Sequence, residues 1–320
     1  MIRKAVIPAA GYGTRFLPAA KAQPKEMLPV VDTPTIQFVV EEAVDAGITD
    51  ILIIIGKGKR AIEEHFDRNF ELEAELEAKG KKAELESIRR ISQMADVHFV
   101  WQKELRGLGD AVRCARHHVN GEPFLLMLGD TLIQSRWSVA RRLIELYDRY
   151  NEPVVALERV DPAKVSRYGV IDGVPIADDL YLIRRLVEKP SVDEAPSNLT
   201  IASRYALGPR IFEYIDRTPP GKNREIQLTD AMQLMLEDMA MYGSVIDGCR
   251  HDIGNKLDFL RTNVIFGLEH PEIGPEFRQF IRELAASNFG DRSSEMGAGR
   301  RCVGASVDGG RGLTVDRKGT

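Results

Sequence analysis

Residues 9–34 read AAGYGTRFLPAAKAQPKEMLPVVDTP, and the stretch opens out of the apolar run KAVIPA. Gly11 and Gly13 suggest a loop that cradles phosphate, yet Pro18, Pro24, Pro29 and Pro34 keep the chain from turning into a helix after them. A dinucleotide fingerprint needs GxGxxG or GxGxxA opening directly into a helix. Here the sixth position is Phe16 and Pro18 follows, so that reading fails, and a P-loop fails because no Gly-Lys-Ser/Thr comes after the glycines. What remains is an extended loop whose backbone N–H groups can approach an oxyanion. Arg15, Lys21 and Lys25 flank it, with Glu26 as the adjoining carboxylate. Such a loop suits a polyphosphate, although taken alone it reads more readily as a Gly-Pro connector with scattered surface cations.

Outward from the loop, short apolar runs alternate with helical patterns: TIQFVVEEAVDAG, DILIIIG, KRAIEEHFDRNF, DVHFVW, LGDAVRCARHHV, PFLLMLGD, WSVARRLIELYDRY and PVVALERV. Strands alternating with helices imply βαβ units, hence an α/β fold with a largely parallel central sheet and helices on both faces. In such a sheet ligands bind outside the carboxyl ends of the strands. Residues 71–93 are rich in Glu, Lys, Ala and Leu and read as an exposed helical excursion. After Val160 the rhythm changes: RYGVIDG and LYLIRRLVEKP read as hairpin strands and SNLTIASRYALG as an extended segment. Helices are expected over 209–215 and 227–239, strand and turn in GSVIDGCRHDIGN, and a closing helix in KLDFLRTNVIFGLEH. The Gly- and Arg-rich residues 291–320 carry few large apolar side chains and are expected to be disordered.

At 320 residues the chain can bury a sizeable core. Lys and Arg number 44 against 48 Asp and Glu, a formal net charge of −4, so there is no basic field of the kind that holds nucleic acid, and any anion must be caught locally. The first apolar stretch is too short for a secretory segment and nothing approaches a membrane span, which makes the cytoplasm the expected compartment. Cys114, Cys249 and Cys302 are widely spaced and read as reduced thiols. The six histidines show no metal-like spacing.

Further candidates lie just after the apolar runs. Asp130, in LMLGDTL, ends a strongly apolar strand where a carboxylate can hold Mg2+ against phosphate oxygens, and Asp252, in RHDIGN, is a second acidic candidate. In QKELRGLGDAV, Gln102 offers a donor and an acceptor for the edge of a planar base, with Gly107 and Gly109 permitting close approach. In LVEKP, Glu188 can accept from sugar hydroxyls and Lys189 can meet a phosphate. Each has an ordinary structural alternative: a turn aspartate, a helix-start amide, a strand ending at proline.

Together these blocks resemble bacterial UTP–glucose-1-phosphate uridylyltransferases. The opening signature, GLGDAV, RYGVID, LVEKP, APSNLTIASRYAL, REIQLTDAM and HDIGNKLDFLRTNV occur in that family's order, from about residue 3 to about residue 268. GxGTR with PKEMLP is shared by sugar nucleotidyltransferases broadly, whereas KEMLPVVDTPTIQFVV and EIQLTDA point to the uridylyl branch. The resemblance implies a Rossmann-like, glycosyltransferase-A-like nucleotidyltransferase fold with a mixed, mostly parallel central sheet, helices on both faces and C-terminal helices. It implies one domain over residues 1–290, with a nucleotide half of about 1–135, a sugar-phosphate half of about 136–255 and C-terminal helices over 256–290.

Carried over residue by residue, it implies that Ala10, Gly11 and Gly13 shape the nucleotide loop, that Arg15 and Lys25 meet the triphosphate, and that Glu26 contacts the nucleotide. Gln102 and Gly107 would read uracil, Asp130 would bind Mg2+, and Gly169, Glu188 and Lys189 would bind glucose 1-phosphate. Asp252 is the less uniform metal ligand. UTP and glucose 1-phosphate are the implied substrates, and a homodimer or homotetramer the implied assembly. The chain departs from the family pattern at Ala20, Gln23 and Gly129, and at Asp110, where relatives read GLGHAV. A related enzyme using dTTP or another sugar phosphate, or a catalytically idle nucleotide-sugar-binding protein, remains the alternative.

Overall fold

The computed structural model describes residues 1–221 and 224–287. The expected disordered tail, 291–320, lies outside them. In chain order the strands are β1 (Lys4–Pro8), β2 (Pro29–Val30), β3 (Thr33–Pro34), β4 (Asp50–Ile55), β5 (Asp96–Trp101), β6 (Phe124–Met127), β7 (Thr131–Ser135), β8 (Val154–Arg159), β9 (Gly169–Ala177), β10 (Leu180–Glu188), β11 (Leu199–Leu207), β12 (Tyr242–Val245) and β13 (Gly248–Asp252). The helices are α1 (Thr35–Asp45), α2 (Arg60–Phe66), α3 (Phe70–Ala78), α4 (Lys82–Gln93), α5 (Leu108–Arg113), α6 (Arg116–Val119), α7 (Val139–Tyr150), α8 (Ile211–Arg217), α9 (Leu228–Met235), α10 (Lys256–Glu269) and α11 (Gly274–Ala286).

Among the described residues, nine strands form one mixed sheet in the order β5-β4-β1-β6-β11-β8-β12-β10-β9. The first four are parallel to one another, as helical crossovers require. The sheet is mixed, as the resemblance implies, and its antiparallel part begins at β11: β11 runs antiparallel to both β6 and β8, and the β9–β10 hairpin adds antiparallel pairs at the far edge. The reason is connectivity, since β11 follows a hairpin rather than a crossover helix. Every residue of β11 is buried.

Period-two alternation splits the interior into two layers. Ala5 and Ile7 of β1 face one cluster with Ile36, Val39, Val40 and Ala43 of α1 and Leu143 and Tyr147 of α7. Val6 faces the other, with Val112 of α5, Phe212 and Ile215 of α8, and Met232 and Met235 of α9. Positions 36, 39, 40 and 43 of α1 make the stripe that a 3.6-residue period lays on one helix face. Each such aliphatic side chain stabilises the fold by roughly 1.5–3 kcal/mol through its burial. The Glu-rich excursion forms α3 and α4, broken at Gly80 (φ +69°), and Glu73 accepts from both Arg68 and Arg89.

The contacts gather into a unit Met1–Phe266 and a second that begins at Gly267. In the second, Phe277 and Phe280 of α11 stack with ring centroids 6.3 Å apart. Among the described residues no helix is long and apolar enough to cross a membrane.

Candidate active site

The carboxyl ends of β1, β4, β5 and β6 share one edge of the sheet, and the singled-out loops emerge there. After β1 the chain passes Ala10 and Gly11 and reaches Gly13 in the left-handed region (φ +65°). Short 3-10 turns at Thr14–Phe16, Ala19–Lys21 and Lys25–Met27 follow instead of a helix. Gly13 is required twice over: its φ suits glycine, and a Cβ there would lie 2.9 Å from Cβ of Lys25. The loop therefore folds back on Lys25. Phe16 anchors it, packing edge-on against Phe259 at 5.5 Å.

Lys25 donates to Asp130 Oδ2 at 2.5 Å and lies 3.9 Å from Glu26 Oε1. Glu26 lies beneath the loop, 1% exposed, where Lys59 (5% exposed) donates to its Oε2 at 2.6 Å. A carboxylate this buried needs paired cations, and Lys59 and Lys25 supply them. Burial would depress the Lys25 ammonium, but Asp130 and Glu26 overrule it and hold its pKa above the ordinary lysine value. Burial would likewise raise Asp130, yet Lys25 beside it, with Arg15 further off, holds that carboxyl below the usual aspartate value. Lys25 is thus a fixed cation and Asp130 a fixed anion.

Antiparallel pairing of β13 with β7 sets Asp252 opposite Thr131, next to Asp130. Ile253 N–H donates to the Asp130 carbonyl at 3.0 Å. A Cβ built on Gly254 would lie 2.8 Å from Asp252 Oδ1, 3.5 Å from Asp130 Oδ2 and 3.9 Å from Arg15 Nη1, so two carboxylates and a guanidinium converge on one point. Burial and the neighbouring Asp130 push the Asp252 carboxyl up, the response of a carboxylate buried beside another. Among the described residues no three His, Cys, Asp or Glu side chains gather as a metal set. One or two carboxylates completed by substrate phosphates is the usual Mg2+ arrangement, and Asp130 with Asp252 fits it.

On the sugar side, the β9–β10 register places Gly169 directly opposite Glu188. Thr229 donates to Glu188 Oε2 at 2.7 Å and Lys189 to Oε1 at 2.7 Å. Lys189 is left-handed (φ +44°), an uncommon state for a non-glycine residue and one that recurs at functional sites. A cavity of about 610 Å³ joins Lys189, Arg15 and Asp252, and Lys164, Arg167 and Arg261 add cations to its wall. Its charge suits a phosphate group.

Gln102 and Gly107 lie on the other side of the loop. Gln102 follows β5 and hydrogen-bonds through its backbone N–H to the Ile55 carbonyl at 2.9 Å. Its side chain, expected to offer both donor and acceptor, has its Nε2 donating to Asp110 Oδ2 at 2.8 Å and to the Gly107 carbonyl at 3.3 Å. Both amide hydrogens are spent, so only the oxygen stays available. Gly107 has φ +99° and its Cβ would strike the Ile226 carbonyl at 2.7 Å, so residue 226 packs over the glycine turn. Cys114 is half-buried, and burial with Asp110 nearby pushes its thiol up, which leaves it no nucleophile.

Sequence reasoning missed Lys59, Thr229 and Arg204. Arg204 is fully buried, donating to the carbonyls of Leu128 (3.4 Å) and Thr131 (2.8 Å) and to Glu42 Oε2 (2.7 Å). It braces both sides of Asp130. The signal for it was weak: a strand-like SRYAL in which only the bulge at left-handed Ser203 (φ +62°) turns the arginine inward.

Comparison with known proteins agrees with this geometry. The family described as Nucleotidyl transferase matches residues 4–266. The chain is 46% identical over 283 residues to a UTP–glucose-1-phosphate uridylyltransferase of Bacillus subtilis, covering 88% of this chain and 97% of that protein. It is similar to the structure of a UTP-bound UGPase from Acinetobacter baumannii, with TM-score 0.83 and 40% identity over 89% of this chain and 100% of that one. It is also similar to a UDP-glucose pyrophosphorylase complexed with UDP-glucose, with TM-score 0.76 and 40% identity over 83% of this chain and 98% of that one. A glycine loop folded on a lysine–aspartate pair, a mixed sheet of this order and identity over nearly the whole of a relative's length point the same way: the chain belongs to the nucleotidyl transferase family, among its UTP–glucose-1-phosphate uridylyltransferases.

Proposed function

We propose that the protein transfers the uridylyl group of UTP to glucose 1-phosphate, giving UDP-glucose and pyrophosphate. The observation that carries the proposal is the convergence of Lys25, Asp130, Asp252 and Arg15 beside the Gly11–Gly13 loop, with Lys189 across the same cavity. A phosphate oxygen of the sugar attacks the α-phosphorus in line, and the bond to the bridging oxygen breaks to release pyrophosphate. The nucleophile is already anionic, so no general base is needed.

Catalysis is then alignment of two polyanions and neutralisation of their charge. Two unit charges 4 Å apart interact by about 4 kcal/mol at an effective dielectric of 20, enough to decide whether the substrates approach. Lys189 steers the sugar phosphate, Glu188 accepts from sugar hydroxyls, and Gly169 leaves room beside it. Ala10, Gly11 and Gly13 present backbone to the triphosphate, and Arg15 and Lys25 stabilise the leaving pyrophosphate. Glu26 acts from below, holding Lys25 and Lys59 in place. Mg2+ held by Asp130, Asp252 and phosphate oxygens would supply further neutralisation.

In this reading about residues 1–135 hold the nucleotide and about 136–255 the sugar phosphate. Asp130→Asn tests the reading: pyrophosphate release from UTP and glucose 1-phosphate should fall at least about 100-fold, in the range for loss of a charge-stabilising group, with its dependence on Mg2+ altered. An unchanged rate and an unchanged Mg2+ titration would remove Asp130 from the site.

A further inference from the structure

The polar cluster behind Gln102 bears on how a base is chosen. Gln102 and Asp110 are each 5% exposed. Asp110 Oδ2 accepts from Gln102 Nε2 at 2.8 Å, and Oδ1 accepts from Arg113. With both oxygens taken by N–H donors, Asp110 has no hydrogen to give Gln102, so the face that Gln102 turns toward it must be its NH2. The Gly107 carbonyl at 3.3 Å, which can only accept, demands the same orientation. The Gln102 amide is therefore locked by two acceptors rather than free to flip, and among the described residues no group donates to its Oε1. The side chain is left as an acceptor alone.

We propose that Asp110 is a positioning residue that sets base specificity: by taking the amide hydrogens of Gln102 it leaves Oε1 to meet the base, and so selects a pyrimidine with a ring N–H. Uracil and thymine carry that hydrogen at the imide nitrogen, whereas the corresponding nitrogen of cytosine is an acceptor. Cytosine in the same place sets its ring nitrogen against Oε1, acceptor to acceptor, and can offer its 4-amino group instead only if the base shifts along its edge. This deepens the proposed function and rests on Gln102 lying at the nucleotide base. A carboxylate shared between Arg113 and Gln102 allows one amide orientation, whereas a side chain with both a donor and an acceptor allows two.

Asp110→Asn removes the lock. Its oxygen is claimed by Arg113, so its NH2 faces Gln102 and opposes the orientation that the Gly107 carbonyl still favours, and the amide no longer holds one orientation. The experiment measures kcat/KM for UTP, CTP and 3-methyl-UTP with glucose 1-phosphate, by pyrophosphate release, in the full-length wild type and the variant. Wild type should prefer UTP over CTP and over 3-methyl-UTP, which lacks the ring N–H. In Asp110→Asn the UTP:CTP ratio should fall by on the order of 10- to 100-fold, the range expected from leaving a buried acceptor unpaired, while KM for glucose 1-phosphate stays within about twofold. A merely structural role would lower all rates together and leave that ratio in place.

Should Asp110→Asn fail to fold, Asp110→Ala, which removes the second acceptor without adding a donor and leaves the amide held by the Gly107 carbonyl alone, decides the matter by moving the ratio in the same direction to a smaller extent. An unchanged UTP:CTP ratio in whichever variant folds overturns the role of Asp110. If wild type itself turns over no nucleotide, the functional reading fails, and that result is distinguishable because it appears before any substitution.

Discussion

Replacing Lys59 by Met removes one end of a buried chain of alternating charges, Lys59–Glu26–Lys25–Asp130. The distances from Glu26 are 2.6 Å to Lys59 and 3.9 Å to Lys25. At an effective dielectric of 20 these correspond to attractions of about 6 and about 4 kcal/mol, most of which is offset by the cost of burying the ions. Burial pushes the Glu26 carboxyl up, and Lys25 and Lys59 oppose that push; with Lys59 gone, Lys25 must serve two carboxylates. Breaking a buried pair by deleting one partner costs about 3–5 kcal/mol, whereas an exposed pair is worth about 0.2–1 kcal/mol. Because Lys25 remains near Glu26, the expected loss is about 3 kcal/mol.

The assay is urea unfolding of wild type, Lys59→Met, Glu26→Gln and the double variant near neutral pH. The double variant should recover at least about 1 kcal/mol relative to additivity, since the neutral amide introduced by Glu26→Gln no longer needs a cation. The Lys59→Met loss should persist in high salt, because a buried pair is screened far less than a surface one. A loss below about 1 kcal/mol, or strict additivity in the cycle, would refute the idea that Lys59 neutralises Glu26.

Two further outcomes follow from the same geometry. Burial and Asp130 raise the folded pKa of Asp252, so its stabilising contribution is full below the unfolded value, about 3.9, and is lost as pH rises through the folded value. Asp252→Asn should therefore raise the urea midpoint at neutral pH, with the gain disappearing toward about pH 3, while turnover falls; a lower midpoint at neutral pH would contradict this. Gly13→Ala places a Cβ at φ +65° and 2.9 Å from Cβ of Lys25, whereas a Cβ on Gly11 meets nothing nearer than Cε of Lys25 at 4.0 Å. Gly13→Ala should cost about 1–2 kcal/mol from its left-handed backbone alone, and Gly11→Ala much less; equal losses in thermal or urea unfolding would argue against the close approach of loop and lysine.

Much of this was legible in the sequence because it is local. The run DILIIIG is apolar throughout, so a strand covered on both faces follows, and β4 is that strand. RYGVIDG and LYLIRRLVEKP read as a hairpin, and its register alone brings Gly169 to Glu188. Pro18 and Phe16 rule out a helix after Gly13, and the chain makes 3-10 turns there. What was not legible depends on contacts distant in sequence. Lys59 sits in IGKGKR, where charge beside glycine reads as a solvated turn; only the pairing of β4 with β1 carries it under Glu26. Arg204 reads as a strand residue with an outward charge until the bulge at Ser203 turns it in. The antiparallel insertion of β11 follows from which strands pair, and periodicity is silent on pairing order. Gln102 stands out in the sequence as a base reader, but the loss of its donor rests on Asp110, eight residues on and brought beside it by the turn into α5.

The most direct test of the whole account is a matrix of nucleoside triphosphates against sugar 1-phosphates, scored by pyrophosphate release in Mg2+ with the purified wild-type protein. Uridylyl transfer predicts the highest kcat/KM for UTP with glucose 1-phosphate, no release when either substrate is omitted, and UDP-glucose as the second product. Preference for another triphosphate or another sugar phosphate, or binding of UDP-glucose without turnover of any pair, would contradict it.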